Sequence, residues 1–237
     1  MHWVMAFDSN KWAESFYGVV DERFAVETDL FQLHIHRKEG IKKLVVERAL
    51  GKLDIFVPAD MDLELYRHQE KMRKLMVEEV NWQASQIFQQ RTDVIAARLN
   101  LGHIEVRTMK YDTHAGYNCN AYLKFNIWTI CGRDSRLVDY LICHELAHFY
   151  KSGHCKPFWR IVDMIYLGLE DDSNCTGEIS LGLDKEFNYN WVPSEMMHWS
   201  SPSTLKNGMR MDGFKVSGTA SYRYPLKKTN INSKHYQ

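Results

Sequence analysis

The chain of 237 residues carries no net charge, its thirty Lys and Arg balancing thirty Asp and Glu, so overall charge points to no polyanionic partner. It also lacks any run near the roughly eighteen apolar residues that a membrane-spanning helix needs. The apolar stretch at residues 1–8 is short and has neither a basic lead-in nor a full hydrophobic core, so no secretory signal is expected. The five cysteines, Cys119, Cys131, Cys143, Cys155 and Cys175, are odd in number and contain no CxxC pair. That disfavours a disulfide framework; free thiols in a reducing, cytoplasmic setting are expected. Internal repeats and low-complexity tracts are missing too.

What remains is ordinary for a soluble globular protein, with 45% apolar and 25% charged residues, enough for one domain with an appendage. Patterning separates three regions. Over residues 30–58, short alternating runs (Leu33 and Ile35; Leu44 to Val46; Leu53 to Val57) are punctuated by Gly40 and Gly51 and closed by Pro58, which predicts two or three antiparallel strands joined by tight turns. Ahead of them, Trp12, Phe16 and Val19 or Val20 fit a short helix face. Over residues 61–101, Leu65, Met72, Met76, Val80, Ile87, Val94, Ile95 and Leu99 recur at helical spacing, predicting one long helix or two successive ones that stop at Asn100-Leu101-Gly102. Met72 and Met76 read as core filler. Strand signals return at 103–109 and 121–130. Asp134-Ser135 then offers an N-cap for a helix over about 136–150, Lys151-Ser152-Gly153 breaks it, and an amphipathic helix follows from Pro157 with Phe158, Val162, Ile165 and Leu169 on one face. Past residue 170 the pattern loosens, with short strands conceivable at 214–216 and 222–224.

The chemistry lies in His144-Glu145-Leu146-Ala147-His148, an HExxH inside a predicted helix, which is the context this motif requires. At 3.6 residues per turn the two imidazoles share a face and can meet one cation, while Glu145 sits about 100° round, able to reach a metal-bound water without ligating. A catalytic zinc takes three protein ligands and keeps one position open. His154 is the third candidate; because it lies too far on for one straight helical face, the chain must turn back, and Gly153 is expected to supply a left-handed turn. Zinc so held lowers the pKa of bound water toward about 7 and polarises a carbonyl, and Glu145 would take the water's proton and pass it to the leaving nitrogen. Tyr150, His114 and Tyr117 are all candidates for an oxyanion donor. Cys143 and Cys155 flank the ligands but read better as small buried hydrophobes, His34, His36, His103 and His114 as structural or exposed residues, and Trp159 as core.

Residues 30–170 resemble the YgjP-like metallopeptidase family, related to the SprT-like and WLM zinc peptidases. The segment Asp139-Tyr140-Leu141-Ile142-Cys143-His144-Glu145-Leu146-Ala147-His148 carries the resemblance, followed by Gly153-His154 and Phe158-Trp159. Upstream, Ile55-Phe56-Val57-Pro58, the long helical stretch and Asn126 also fit. Where the family usually has Trp-Gly-Ser-Cys, this chain has Ala115-Gly116-Tyr117-Asn118-Cys119-Asn120, so the substrate-side wall is expected to differ. The resemblance implies an α+β fold, a small antiparallel sheet packed on helices in a minimal gluzincin-like domain, with Zn2+ on His144, His148 and His154, Glu145 as general base, and a protein or peptide substrate. The implied organisation is an N-terminal extension (1–29), a metallopeptidase domain (30–175) and a basic C-terminal extension (176–237). Over residues 206–237 of that extension, Lys206, Arg210, Lys215, Arg223, Lys227, Lys228 and Lys234 are set against one acid, Asp212. Such a tail suits nucleic acid, and the related peptidases act on proteins at DNA, so a nucleic-acid-associated protein is the rival reading.

Overall fold

The computed structural model describes residues 20–110 and 114–188. The expected helix face at Trp12 and Phe16, the short strands at 214–216 and 222–224, and the basic residues 206–234 fall outside these.

Among the described residues, seven strands and five helices follow in the order β1 (Ala25–Glu27), β2 (Gln32–Lys38), β3 (Val45–Ala49), β4 (Lys52–Pro58), α1 (Tyr66–Arg98), β5 (Glu105–Met109), β6 (Gly116–Asn118), β7 (Tyr122–Asn126), α2 (Thr129–Gly132), α3 (Ser135–Ala147), α4 (Lys156–Leu167) and α5 (Glu178–Asn188). The class is α+β, as expected, but neither sheet is purely antiparallel. In the first, ordered β1-β2-β4-β3, strands β2 and β4 run parallel while β1–β2 and β3–β4 pair antiparallel. Burial explains the order. Strands β2 and β4 each bury alternate residues (Leu33, Ile35; Leu53, Ile55, Val57) and take the centre, whereas β3 has no fully buried position and goes to an edge. Gly51 makes the β3–β4 turn at φ +75, and a Cβ there would stand 2.8 Å from the Leu30 carbonyl oxygen, so both the backbone and the space demand glycine. Gln83, buried on α1, closes this turn: its Oε1 accepts from Gly51 N and its Nε2 donates to the Ala49 and Lys52 carbonyls.

Helix α1 is continuous over 33 residues. It buries Met72, Met76, Val80, Ala84, Ile87, Phe88 and Ile95, while Leu65 and Val94, expected on the same face, are exposed. Asn100, not Gly102, ends it in the left-handed conformation (φ 53), with Leu101 N returning to the Ala96 carbonyl. Although long, α1 is polar, and no helix among the described residues is long and apolar enough to cross a membrane.

The second sheet, ordered β5-β7-β6, pairs β5 parallel and β6 antiparallel to β7. Strand β7 stops at Asn126, short of the expected 130, because the buried Asn126 side chain accepts from Trp128 N and the chain coils into α2. Asp134 then caps α3, accepting from Leu137 N at 3.0 Å, which satisfies one of the first-turn amides. Helix α3 buries nine of its thirteen residues. Its last turn is therefore placed by packing on nearly every side, and that turn carries the HExxH motif.

Candidate metal centre

The structure brings His144, His148 and His154 together: their ligand atoms all lie within 4.8 Å of one another. His144 Nε2 and His154 Nε2 are 2.9 Å apart, a separation that N–metal bonds of about 2.0–2.1 Å span after a few tenths of an ångström of adjustment. On two of the rings the nitrogen pointing away is engaged. His148 Nδ1 lies 3.0 Å from the Lys151 carbonyl oxygen, and His144 Nδ1 lies 3.1 Å from the Tyr140 hydroxyl. A carbonyl beside Nδ1 holds the proton there and leaves Nε2 with a free lone pair, the form a metal takes.

The return from α3 is not made as expected. Gly153 lies outside the left-handed region, and a Cβ added to it would meet nothing within 4 Å. Instead the helix ends in tightened turns, with Phe149 N bonding to Leu146 O and Tyr150 N to Ala147 O. Cys155 N closes on the Gly153 carbonyl at 2.9 Å. The indole Nε1 of Trp159 donates to the His154 carbonyl at 3.1 Å and so ties the loop to α4.

Phe158 is the floor of the cluster. Fully buried, it has its ring centroid 5.0 Å from that of His144, 4.7 Å from His148 and 4.7 Å from His154. Trp159 is core, as expected, yet it also lies against His144 and His154. Phe158, Val162 and Ile165 form the buried face of α4; Leu169 does not join them, because Gly168 ends the helix at φ 69 and leaves it exposed. Burial, then the neighbouring His154 and His148, push the His144 pKa down to about 3, and burial and His148 lower that of His154. Both rings are thus neutral at pH 7, as coordination requires.

Glu145 is 6% exposed, and burial raises its pKa to about 7, the Asn118 backbone pulling partly the other way. Strand β6 forms its wall. A Cβ on Gly116 would come within 3.0 Å of Glu145 Oε1 and 3.1 Å of Phe125 Cδ1, and Asn118 Nδ2 donates to the Glu145 carbonyl at 2.7 Å. Gly116 therefore reserves the space for the carboxylate. Tyr117, between them, points from the opposite face of the strand, its hydroxyl 2.6 Å from His114 Nδ1. Tyr150, the other oxyanion candidate, is 50% exposed just past α3.

A family model for the YgjP-like metallopeptidase domain matches residues 33–173, more than half of the 237-residue chain. The chain belongs to the YgjP-like metallopeptidase family. No curated protein and no solved structure gives a match. Membership implies a metal, and the three imidazoles, with the outward nitrogens of His144 and His148 engaged, are a donor set that fits one.

The other residues weighed earlier sit apart. His34 pairs with Glu27, His36 with Asp54 and His103 with Asp93. All five cysteines are free, Cys143 buried in α3 and Cys155 half-buried at the start of α4. The contacts of several supporting residues were not legible from the motif: Gly116 and Asn118 behind Glu145, Phe158 beneath the histidines, and Tyr140 beside His144. Tyr140 did carry a signal, since it stands four residues before His144 on the same helical face. Its phenol donates to Asp184 Oδ1 at 2.6 Å, and burial together with that carboxylate holds it protonated well above the usual range.

Proposed function

We propose that this chain is a zinc peptidase in which His144, His148 and His154 hold the metal and Glu145 is the general base. The observation that carries the reading is the convergence of three imidazoles beside a buried carboxylate whose pKa burial raises to about 7. When bound, zinc supplies Lewis acidity and makes a water a nucleophile at neutral pH. Glu145 is matched to the rest: a base titrating near the working pH can accept the attacking water's proton on a carboxylate oxygen and deliver it to the amide nitrogen as the C–N bond breaks. The same proton leaves the water and ends on the departing amine, so the carboxylate is regenerated.

A peptide substrate is favoured by the strand that walls the base. Strand β6 is an edge strand among the described residues, and an extended peptide can add to such an edge through main-chain hydrogen bonds. That would lay a backbone amide along Gly116 beside Glu145. The test is cleavage of an unfolded protein substrate by the full chain loaded with zinc. Glu145→Gln should keep its zinc and lose roughly 10²–10⁴-fold in turnover. A chelator should abolish cleavage by the parent, and zinc should restore it. Undiminished cleavage by the Glu145→Gln protein would refute the assignment of the base.

A further inference from the structure

We propose that Asp184 on α5 is a positioning residue of the metal centre, orienting His144 through the Tyr140 hydroxyl. This rests on the reading of His144 as a zinc ligand. Asp184 lies beyond residue 173, where the family match ends, in the segment that the sequence placed in a C-terminal extension.

Donor counting sets the direction of the relay. A phenol has one proton, and Tyr140 donates it to Asp184 Oδ1 at 2.6 Å. The phenol oxygen is left as an acceptor, so the hydrogen across the 3.1 Å to His144 belongs on Nδ1. The imidazole then presents a lone pair at Nε2, which faces His154 Nε2. For His148 a carbonyl does this work directly; for His144, buried one turn deeper in α3, it comes from another helix by way of a tyrosine. Carboxylates behind metal-binding histidines fix the tautomer and raise ligand basicity.

Helix α5 is held in place for such a role. Asp163, a buried carboxylate on α4, accepts from Gly177 N through Oδ2 and from Ser180 N through Oδ1, both at 2.7 Å, and so caps the start of α5. Ser180 Oγ donates to the Trp159 carbonyl. At the far end Arg133 donates to the Phe187 carbonyl and Arg136 pairs with Glu186. Gly177 approaches α4 so closely that a Cβ would stand 2.7 Å from Trp159 Cβ. The residues that seat α5 are thus next to those that carry the site: Trp159 touches two of the histidines and takes a bond from Ser180.

The experiment is zinc affinity of the full chain by competition with a chromophoric chelator, together with the cobalt(II) absorption spectrum. The proteins are the parent, Tyr140→Phe, Asp184→Asn, the double variant and Glu186→Gln. Tyr140→Phe and Asp184→Asn should each weaken zinc binding about 10–100-fold and shift the cobalt bands. The double variant should be no more than about twofold weaker than the weaker single one, because one chain of bonds is broken in each. Glu186→Gln, which loosens the same helix without touching the relay, should bind zinc like the parent. Unchanged affinity in either Tyr140→Phe or Asp184→Asn, with the parent binding zinc, overturns the relay alone. Equal weakening by Glu186→Gln does so as well, since docking of α5 would then be the cause. A parent that binds no zinc overturns the reading of the site itself. Should Asp184→Asn fail to fold, Tyr140→Phe, which removes one oxygen and keeps the ring, decides the question.

Discussion

The two sides of the histidine cluster are built differently. On the helix side, His144 and Glu145 lie in the last turn of a helix buried almost all round, with Gly116, Asn118 and Tyr140 fitted against them. On the loop side, His154 is exposed and is held by its contact with Phe158, the Trp159 bond to its carbonyl and a short turn at Gly153. The first side is placed before any ligand arrives; the second is placed by a few local contacts. Chemistry that needs a carboxylate in one position belongs on the first, and a side chain that can adjust its position belongs on the second. Substitutions should therefore be felt most where the sides meet and least in the loop.

Phe158 is where they meet, since its ring touches all three imidazoles. Phe158→Ala should lower unfolding free energy by about 3–5 kcal/mol and lose zinc, read by denaturant melts and metal analysis. Retained zinc would show that the imidazoles need no common floor. On the helix side, Glu145→Gln should stabilise the metal-free protein. The folded pKa of Glu145, about 7, lies above its ordinary 4.5, so the folded state holds the extra proton and stability falls as pH rises through that window. Glutamine removes this cost. The gain should be near zero at pH 4.5 and reach as much as about 3 kcal/mol above pH 7, at 1.36 kcal/mol per unit. Chelator-treated samples melted at several pH values provide the check, and a pH-independent difference would contradict it. Next, Gly116→Ala should cost about 1–3 kcal/mol by overpacking and reduce turnover more than zinc affinity, because the added methyl meets Glu145 and Phe125 rather than a histidine. Smallest is Gly153→Ala, expected within about 0.5 kcal/mol and within twofold of the parent in zinc affinity. A large loss there would restore the left-handed turn that the sequence suggests.

The same contrast explains what could be read without coordinates. His144, Glu145 and His148 are local to one helix, so 3.6-residue geometry places them, and Asp134 announces that helix by its capping chemistry. His154 was identifiable as a partner, but not the route to it, because a glycine permits a left-handed turn without requiring one. Long-range facts were hidden. Strands β2 and β4 take the centre of their sheet because each has a face to bury, a competition among strands that no single run reveals. Gly116 matters through the carboxylate of a helix that comes later in the chain. Asp184 reaches the site through Tyr140 from a segment whose pattern shows no chemistry.

The central claim is that three imidazoles hold one zinc beside Glu145. X-ray absorption at the zinc edge of the purified full chain tests it most directly. The account predicts about one zinc per chain, a first shell of nitrogen and oxygen at about 2.0–2.1 Å with the scattering of three imidazoles, and the same spectrum for Glu145→Gln. A sulfur shell at about 2.3 Å, which would bring in Cys143 or Cys155, or a chain that holds no zinc with all three histidines intact, would contradict it.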